Sequence, residues 1–130
     1  MERAIEAFCE LYVRDLEANI RWFVDDLGFV CNRSQDNFAE LRAGNTRLLL
    51  NSQKVSEFEP ANPVREISVD TPRGAGVEIG IFVSDLDAVY SAVLANPELT
   101  TTGAPTEVPW GGRDFRLIHP DGFYIRVACQ

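Results

Sequence analysis

The chain has 130 residues, of which 45% are hydrophobic, 25% charged and 10% aromatic. That is the composition of one globular domain, or of two small halves sharing a core, and it excludes a disordered tail, a coiled coil, a collagen-like rod and a disulfide-stapled miniprotein. Twelve Lys and Arg stand against twenty Asp and Glu, a formal charge of −8, and such a surface repels phosphate and argues against nucleic acid as a partner.

The opening residues, Met1-Glu2-Arg3-Ala4-Ile5-Glu6, contain no apolar core of a signal sequence, and no apolar run approaches membrane-spanning length. The three cysteines, Cys9, Cys31 and Cys129, are odd in number and lack CxxC spacing, which fits a reducing compartment. The expected location is therefore the cytoplasm. Cys9 and Cys129 fall on strands, where buried small hydrophobes are expected.

Leu11-Tyr12-Val13-Arg14-Asp15-Leu16-Glu17-Ala18 returns as Ile81-Phe82-Val83-Ser84-Asp85-Leu86-Asp87-Ala88, at a constant offset of 70. Each copy reads as a strand running into a helix, with Asp15 or Asp85 as the N-cap. The first helix carries Ile20, Trp22, Phe23 and Leu27 on its apolar face and stops at Gly28. The second carries Val89, Tyr90, Val93 and Leu94, and Pro97 prevents its continuation. A hairpin from Asn37 to Leu50, turning at Ala43-Gly44-Asn45, is matched by one from Arg113 to Val127, turning at His119-Pro120-Asp121-Gly122. Phe38 to Phe115 and Leu49 to Arg126 are both 77 apart.

Each half is thus strand, helix and a short meander of strands, which predicts an α+β fold of two repeated modules. The modules are expected at 1–52 and 76–130, joined by a polar connector at 53–75 that holds Pro60, Pro63 and Pro72. Its length marks a functional loop or a connector rather than packed core. Ile67 and Val69 are expected as a short strand within it. His119, the only histidine, is expected at the surface of its turn.

Strand side chains alternate between two faces. Cys9, Leu11 and Val13 share one face with an apolar repeat at Ile79, Ile81 and Val83, and these faces should lie under the helices. The opposite faces mix aromatic and charged residues: Phe8, Glu10 and Tyr12 in one half, Glu78, Gly80 and Phe82 in the other. Extending the parity through the hairpins puts Phe38, Glu40, Arg47, Leu49, Phe115, Leu117, Tyr124 and Arg126 on that surface. Trp110, between Pro109 and Gly111-Gly112, lies in a loop feeding the last hairpin, where an indole can stack on a planar ligand or anchor the loop. Trp22, on the apolar helix face, is expected in the core. The aromatics of the mixed faces also suit the filling of a core, and alternation alone does not separate the two uses.

Val13-Arg14-Asp15-Leu16, Trp22-Phe23 and Leu27-Gly28-Phe29 resemble the opening unit of the vicinal oxygen chelate superfamily, which includes glyoxalase I, extradiol dioxygenases and the fosfomycin and bleomycin resistance proteins. Asp36-Asn37-Phe38-Ala39, Pro109-Trp110-Gly111-Gly112-Arg113-Asp114-Phe115 and His119-Pro120-Asp121-Gly122 look closer to the bleomycin resistance proteins. The resemblance implies two βαβββ modules, with sheets curled around a cleft, in a homodimer. It also implies that metal enzymes of this kind place their ligands where this chain has Phe8, Leu49, Glu78 and Arg126. Three His, Glu or Asp donors are needed there, and Glu78 alone qualifies. No metal and no other cofactor is therefore expected, and Arg126 is expected to pair with Glu78.

The expected function is non-catalytic sequestration of an aromatic peptide or glycopeptide antibiotic. Phe8, Phe38, Phe82, Trp110, Phe115 and Tyr124 would stack on it, while Glu10, Glu40, Arg47, Glu78 and Arg126 would hold its polar groups beside Leu49. The acidic balance suits a cationic drug tail and suits solubility equally well. A small enzyme of the superfamily and a scaffold module in natural-product biosynthesis are the alternatives.

Overall fold

A computed structural model describes residues 4–52 and 73–130, which fall into two compact units. The expected Ile67–Val69 strand lies outside the described residues.

In the first unit β1 (Phe8–Tyr12) leads into α1 (Leu16–Arg21), and α1 continues into a π-helical turn at Trp22–Asp26. Asp15 caps α1 as expected: its carboxylate accepts from the Ala18 backbone N–H at 3.0 Å. The π turn widens the last coil, so Leu27 N–H donates to Trp22 O and Phe29 N–H to Phe23 O. Gly28 then reverses the chain at φ 87°, a conformation that favours glycine. Three strands follow, β2 (Val30–Gln35), β3 (Phe38–Ala43) and β4 (Thr46–Asn51). The sheet order is β1-β4-β3-β2, with β1 parallel to β4 and the rest antiparallel.

One face of this sheet carries Leu11, Ala39, Leu41, Leu48 and Leu50, all buried, and α1 packs on β3 and β4. Phe23 and Phe29 meet edge to face at 5.3 Å in the same core, and Trp22 is buried there as expected. Cys9 is a correction. It pairs with Leu48 toward this side, but it lies at the open end of an edge strand and is exposed.

The second unit repeats the plan. β5 (Glu78–Phe82) stands at an offset of 70 from β1 at both ends, and α2 (Leu86–Ala95) is capped by Asp85, which accepts from Ala88 N–H at 3.0 Å. Its sheet runs β5-β9-β8, where β8 is Arg113–Ile118 and β9 is Tyr124–Cys129. The outer place beside β8 is shared by two fragments, β6 (Thr100–Thr101) and β7 (Thr106–Glu107), split by residues 102–105. Phe115, Leu117, Ile125 and Val127 are buried, and α2 packs on β8 and β9. Arg113 ties the start of β8 to the first turn of α2 through two hydrogen bonds to Asp87, at 3.1 and 3.3 Å. Leu94 of α2 is exposed rather than buried with Val93.

Candidate functional site

Each sheet turns one face to its helix and leaves the other open. In the first unit the strand register aligns Phe8 with Arg47, and Glu10 with Leu49 and Glu40. Cross-strand partners point to the same side of a sheet. Phe8, Glu10, Phe38, Glu40, Arg47 and Leu49 therefore share one open face, as the alternation predicted. Arg33, which alternation alone did not single out, belongs to it through its pairing with Glu40. Its guanidinium lies 5.2 Å from the Phe38 ring centre and its Nε is 4.0 Å from the Glu40 carboxylate. Asn32 Nδ2 donates to the other Glu40 oxygen at 3.1 Å. A depression of ≈460 Å³ opens beside these residues, lined by Arg33, Gln35, Asp36, Asn37 and Phe38. Asp36 reaches it at the β2–β3 tip with φ 48°, a turn conformation that Asp tolerates.

In the second unit Glu78 aligns with Tyr124, and Tyr124 with Ile118; Gly80 aligns with Arg126, and Arg126 with Arg116. Glu78, Tyr124 and Arg126 thus occupy the open face as expected. Phe82 stands on the same side at the end of β5, 72% exposed. The expected Glu78–Arg126 pair is present, with Nε 3.9 Å from Oε2.

Phe115 and Leu117 are corrections, because both point to the helix side. Phe115 aligns with Val127, is 2% exposed and meets the Tyr90 ring of α2 edge-on at 5.1 Å. The cause is a hairpin tip one residue longer than its counterpart. Ala43 and Thr46 close the first tip around two residues, whereas His119 N–H bonds Phe123 O around three. An extra residue displaces the strand by one place and exchanges its faces. Asp114, Arg116 and Ile118 take the open side instead. Arg116 Nη1 donates to the Tyr124 hydroxyl at 3.2 Å and Nη2 to Asp114 at 3.3 Å. These two partners, Tyr124 first, raise the Arg116 pKa above its ordinary value.

Trp110 is 68% exposed at the tip of a tight turn in which Gly111 N–H donates to Val108 O at 3.0 Å. Gly112 sits at φ 79°, and a Cβ on it would collide with the Cys129 carbonyl oxygen. The turn is therefore held close to the end of β9, and the Trp110 ring lies 5.8 Å from the Arg126 guanidinium.

His119 is not at the surface. It is 1% exposed, its Nδ1 accepts from Asp121 N–H at 2.9 Å, and Phe123 packs edge-on at 5.5 Å. Burial lowers its pKa to about 4, against the smaller opposing effect of Asp121.

Neither unit, taken by itself, offers a metal donor set at the positions that the resemblance marks for ligands. Phe8 and Leu49 offer hydrocarbon, Arg126 is a cation, and the carboxylate of Glu78 faces Arg126. Among the described residues no three His, Cys, Asp or Glu side chains gather into a cluster. No helix among them is long and apolar enough to cross a membrane.

The sequence profile of the Glyoxalase/Bleomycin resistance protein/Dioxygenase superfamily matches residues 7–127. The chain belongs to this superfamily. No curated protein matches the chain by sequence. Among solved structures, a protein of unknown function from Agrobacterium tumefaciens is 18% identical with TM-score 0.78, over 100% of this chain and 97% of that one. A superfamily member from Sphaerobacter thermophilus is 20% identical with TM-score 0.66, over 98% of both chains. A lactoylglutathione lyase from Agrobacterium tumefaciens is 19% identical with TM-score 0.68, over 98% of this chain and 95% of that one. At these identities the likeness concerns the glyoxalase/bleomycin resistance fold.

Proposed function

We propose that this superfamily member binds a flat aromatic natural product, of the peptide or glycopeptide antibiotic kind, and sequesters it unaltered, without a metal. In this reading it acts as a homodimer in the cytoplasm and protects the cell that makes or meets the compound. The observation that carries the reading is the Trp110 ring, exposed, held on a glycine-locked turn and laid against Arg126. An aromatic surface presented rigidly to solvent loses little freedom when a planar ligand stacks on it. The charged and aromatic side chains of the two open faces supply further stacking and hydrogen bonding. The hydrocarbon side chains at Phe8 and Leu49 in the first unit, and the pairing of Glu78 with Arg126 in the second, support binding over metal-assisted chemistry.

The test is a tryptophan-fluorescence titration of chelator-treated protein with metal-free bleomycin and with a planar-chromophore peptide antibiotic. Saturable quenching, with the drug recovered at unchanged mass, supports sequestration and shows which class fits. A flat response to both, or a drug returned chemically altered, defeats it. Stoichiometric Zn, Mn, Ni or Fe in the purified protein, with an activity lost to chelator, would favour an enzyme instead.

A further inference from the structure

Arg116 and Arg126 stand directly opposite each other on β8 and β9, on the open side of the second sheet. Like charges in that relation repel, and a sheet tolerates them only where anions compensate. The compensation is unequal. Arg116 is tied on one side to Tyr124 and on the other to Asp114, an acid that is itself mostly buried. Among the described residues Arg126 has only Glu78 as a counter-anion, at 3.9 Å from its Nε, beyond hydrogen-bond reach. Its two terminal nitrogens form no hydrogen bond among the described residues, and the side chain is 32% exposed. The Trp110 face lies 5.8 Å away.

A planar fork of uncommitted N–H donors beside a second cation and an exposed aromatic ring is matched by one chemistry. A guanidinium takes a carboxylate or sulfonate through two parallel hydrogen bonds, and the ring bearing that group stacks on the indole. We infer that Arg126, Arg116 and Trp110 form an acid-recognising subsite for an aromatic ring carrying a carboxylate or sulfonate. This rests on the sequestration reading and deepens it, because it specifies an acidic group where the net charge of −8 suited a cationic drug. Tyr124, held by Arg116, fixes the orientation of that second cation.

The experiment compares 2-naphthoate, 2-naphthamide and the 2-naphthylmethylammonium ion by fluorescence titration of the full chain. Naphthoate is expected to bind on the order of tenfold or more tighter than the other two, as a charge-assisted hydrogen bond allows. Arg126→Gln should erase that preference, and Arg126→Lys should keep part of it, with folding of both checked by circular dichroism. Trp110→Ala should weaken all three probes alike. Equal binding of the three probes, or tighter binding of the ammonium ion, overturns the subsite while leaving aromatic stacking in place. Failure of naphthoate to bind at all also overturns it. Arg126-dependent naphthoate binding alongside flat antibiotic titrations supports the subsite and defeats the sequestration reading alone.

Discussion

The guanidinium of Arg126 lies 5.8 Å from the centre of the Trp110 ring, within the range of a cation–π contact. Trp110 is 68% exposed, so burial does not hold it there. Its position comes from a short turn, from Gly112 against the end of β9, and from the cation beneath the ring. Under the sequestration reading, this exposed ring is the surface on which a planar ligand stacks.

Trp110→Ala should therefore separate binding from stability. Loss of an aromatic anchor is expected to weaken binding of a stacking ligand by about 1–3 kcal/mol. Urea unfolding should change by less than about 1 kcal/mol, the scale of an exposed cation–π contact. Titration and denaturation on the same preparation check both. Unchanged affinity removes Trp110 from the site, and a large loss of stability makes it a structural anchor instead.

Phe115→Ala should do the reverse. The ring is buried on the helix side of β8 against Tyr90. Truncating a core Phe costs about 3–5 kcal/mol, through lost transfer energy and the cavity left behind. Binding by the protein that remains folded should not change. A variant as stable as the parent but defective in ligand binding would return Phe115 to the open face.

That contrast shows where the sequence was legible. The offset of 70 located β1 and β5 at both ends, and the caps at Asp15 and Asp85 formed as the helix-start pattern implied. The open face of the first sheet followed directly, because alternation carries through a two-residue tip. In the second hairpin Leu49 and Arg126 still correspond at 77, but their cross-strand partners Glu40 and Arg116 are 76 apart. A repeat aligned through its most similar residues, Phe38 and Phe115, absorbs that step unseen and assigns β8 to the wrong face. Arg116 was missed for the same reason. His119 was missed for a different one. Turn chemistry describes Pro120 and Gly122 locally, whereas burial of the turn depends on chain that returns to it. Arg73 N–H bonds Asp121 O at 2.8 Å, and Gly74 packs so closely on Phe123 that a Cβ would lie 2.8 Å from that ring.

Gly112 and Gly111 give a paired test of the Trp110 turn. Both have positive φ, at 79° and 103°, so Ala is strained at either place. Only at Gly112 does the new Cβ also meet backbone, at the Cys129 carbonyl, whereas Gly111 faces open space. Gly112→Ala should thus destabilise more than Gly111→Ala, which is expected to cost about 1–2 kcal/mol from backbone strain alone. It should also shift the Trp110 emission by moving the indole away from Arg126. Equal unfolding midpoints for the two variants would mean that the turn is not held against β9.

His119 supplies a pH dependence with a definite sign. In the unfolded chain its pKa is 6.5, and in the fold burial lowers it to about 4. Between those values the unfolded chain binds the extra proton and the folded chain refuses it. Stability is therefore complete above pH 6.5, falls as the pH drops toward 4, and changes no further from this group below that. The lowered pKa corresponds to about 3 kcal/mol over the whole window, at 1.36 kcal/mol per unit. Neutral imidazole is what the turn requires, since Nδ1 accepts from Asp121 N–H. Carboxylates titrate at the acid end of the same window, so the informative comparison is with a residue that cannot ionise. His119→Asn keeps an acceptor for Asp121 N–H and removes the titration. Urea unfolding at pH 7.5, 6.0 and 5.0 should show the parent losing about 1–2 kcal/mol more than the variant. Parallel pH profiles would mean that His119 titrates near its ordinary value, and that the turn is open to water.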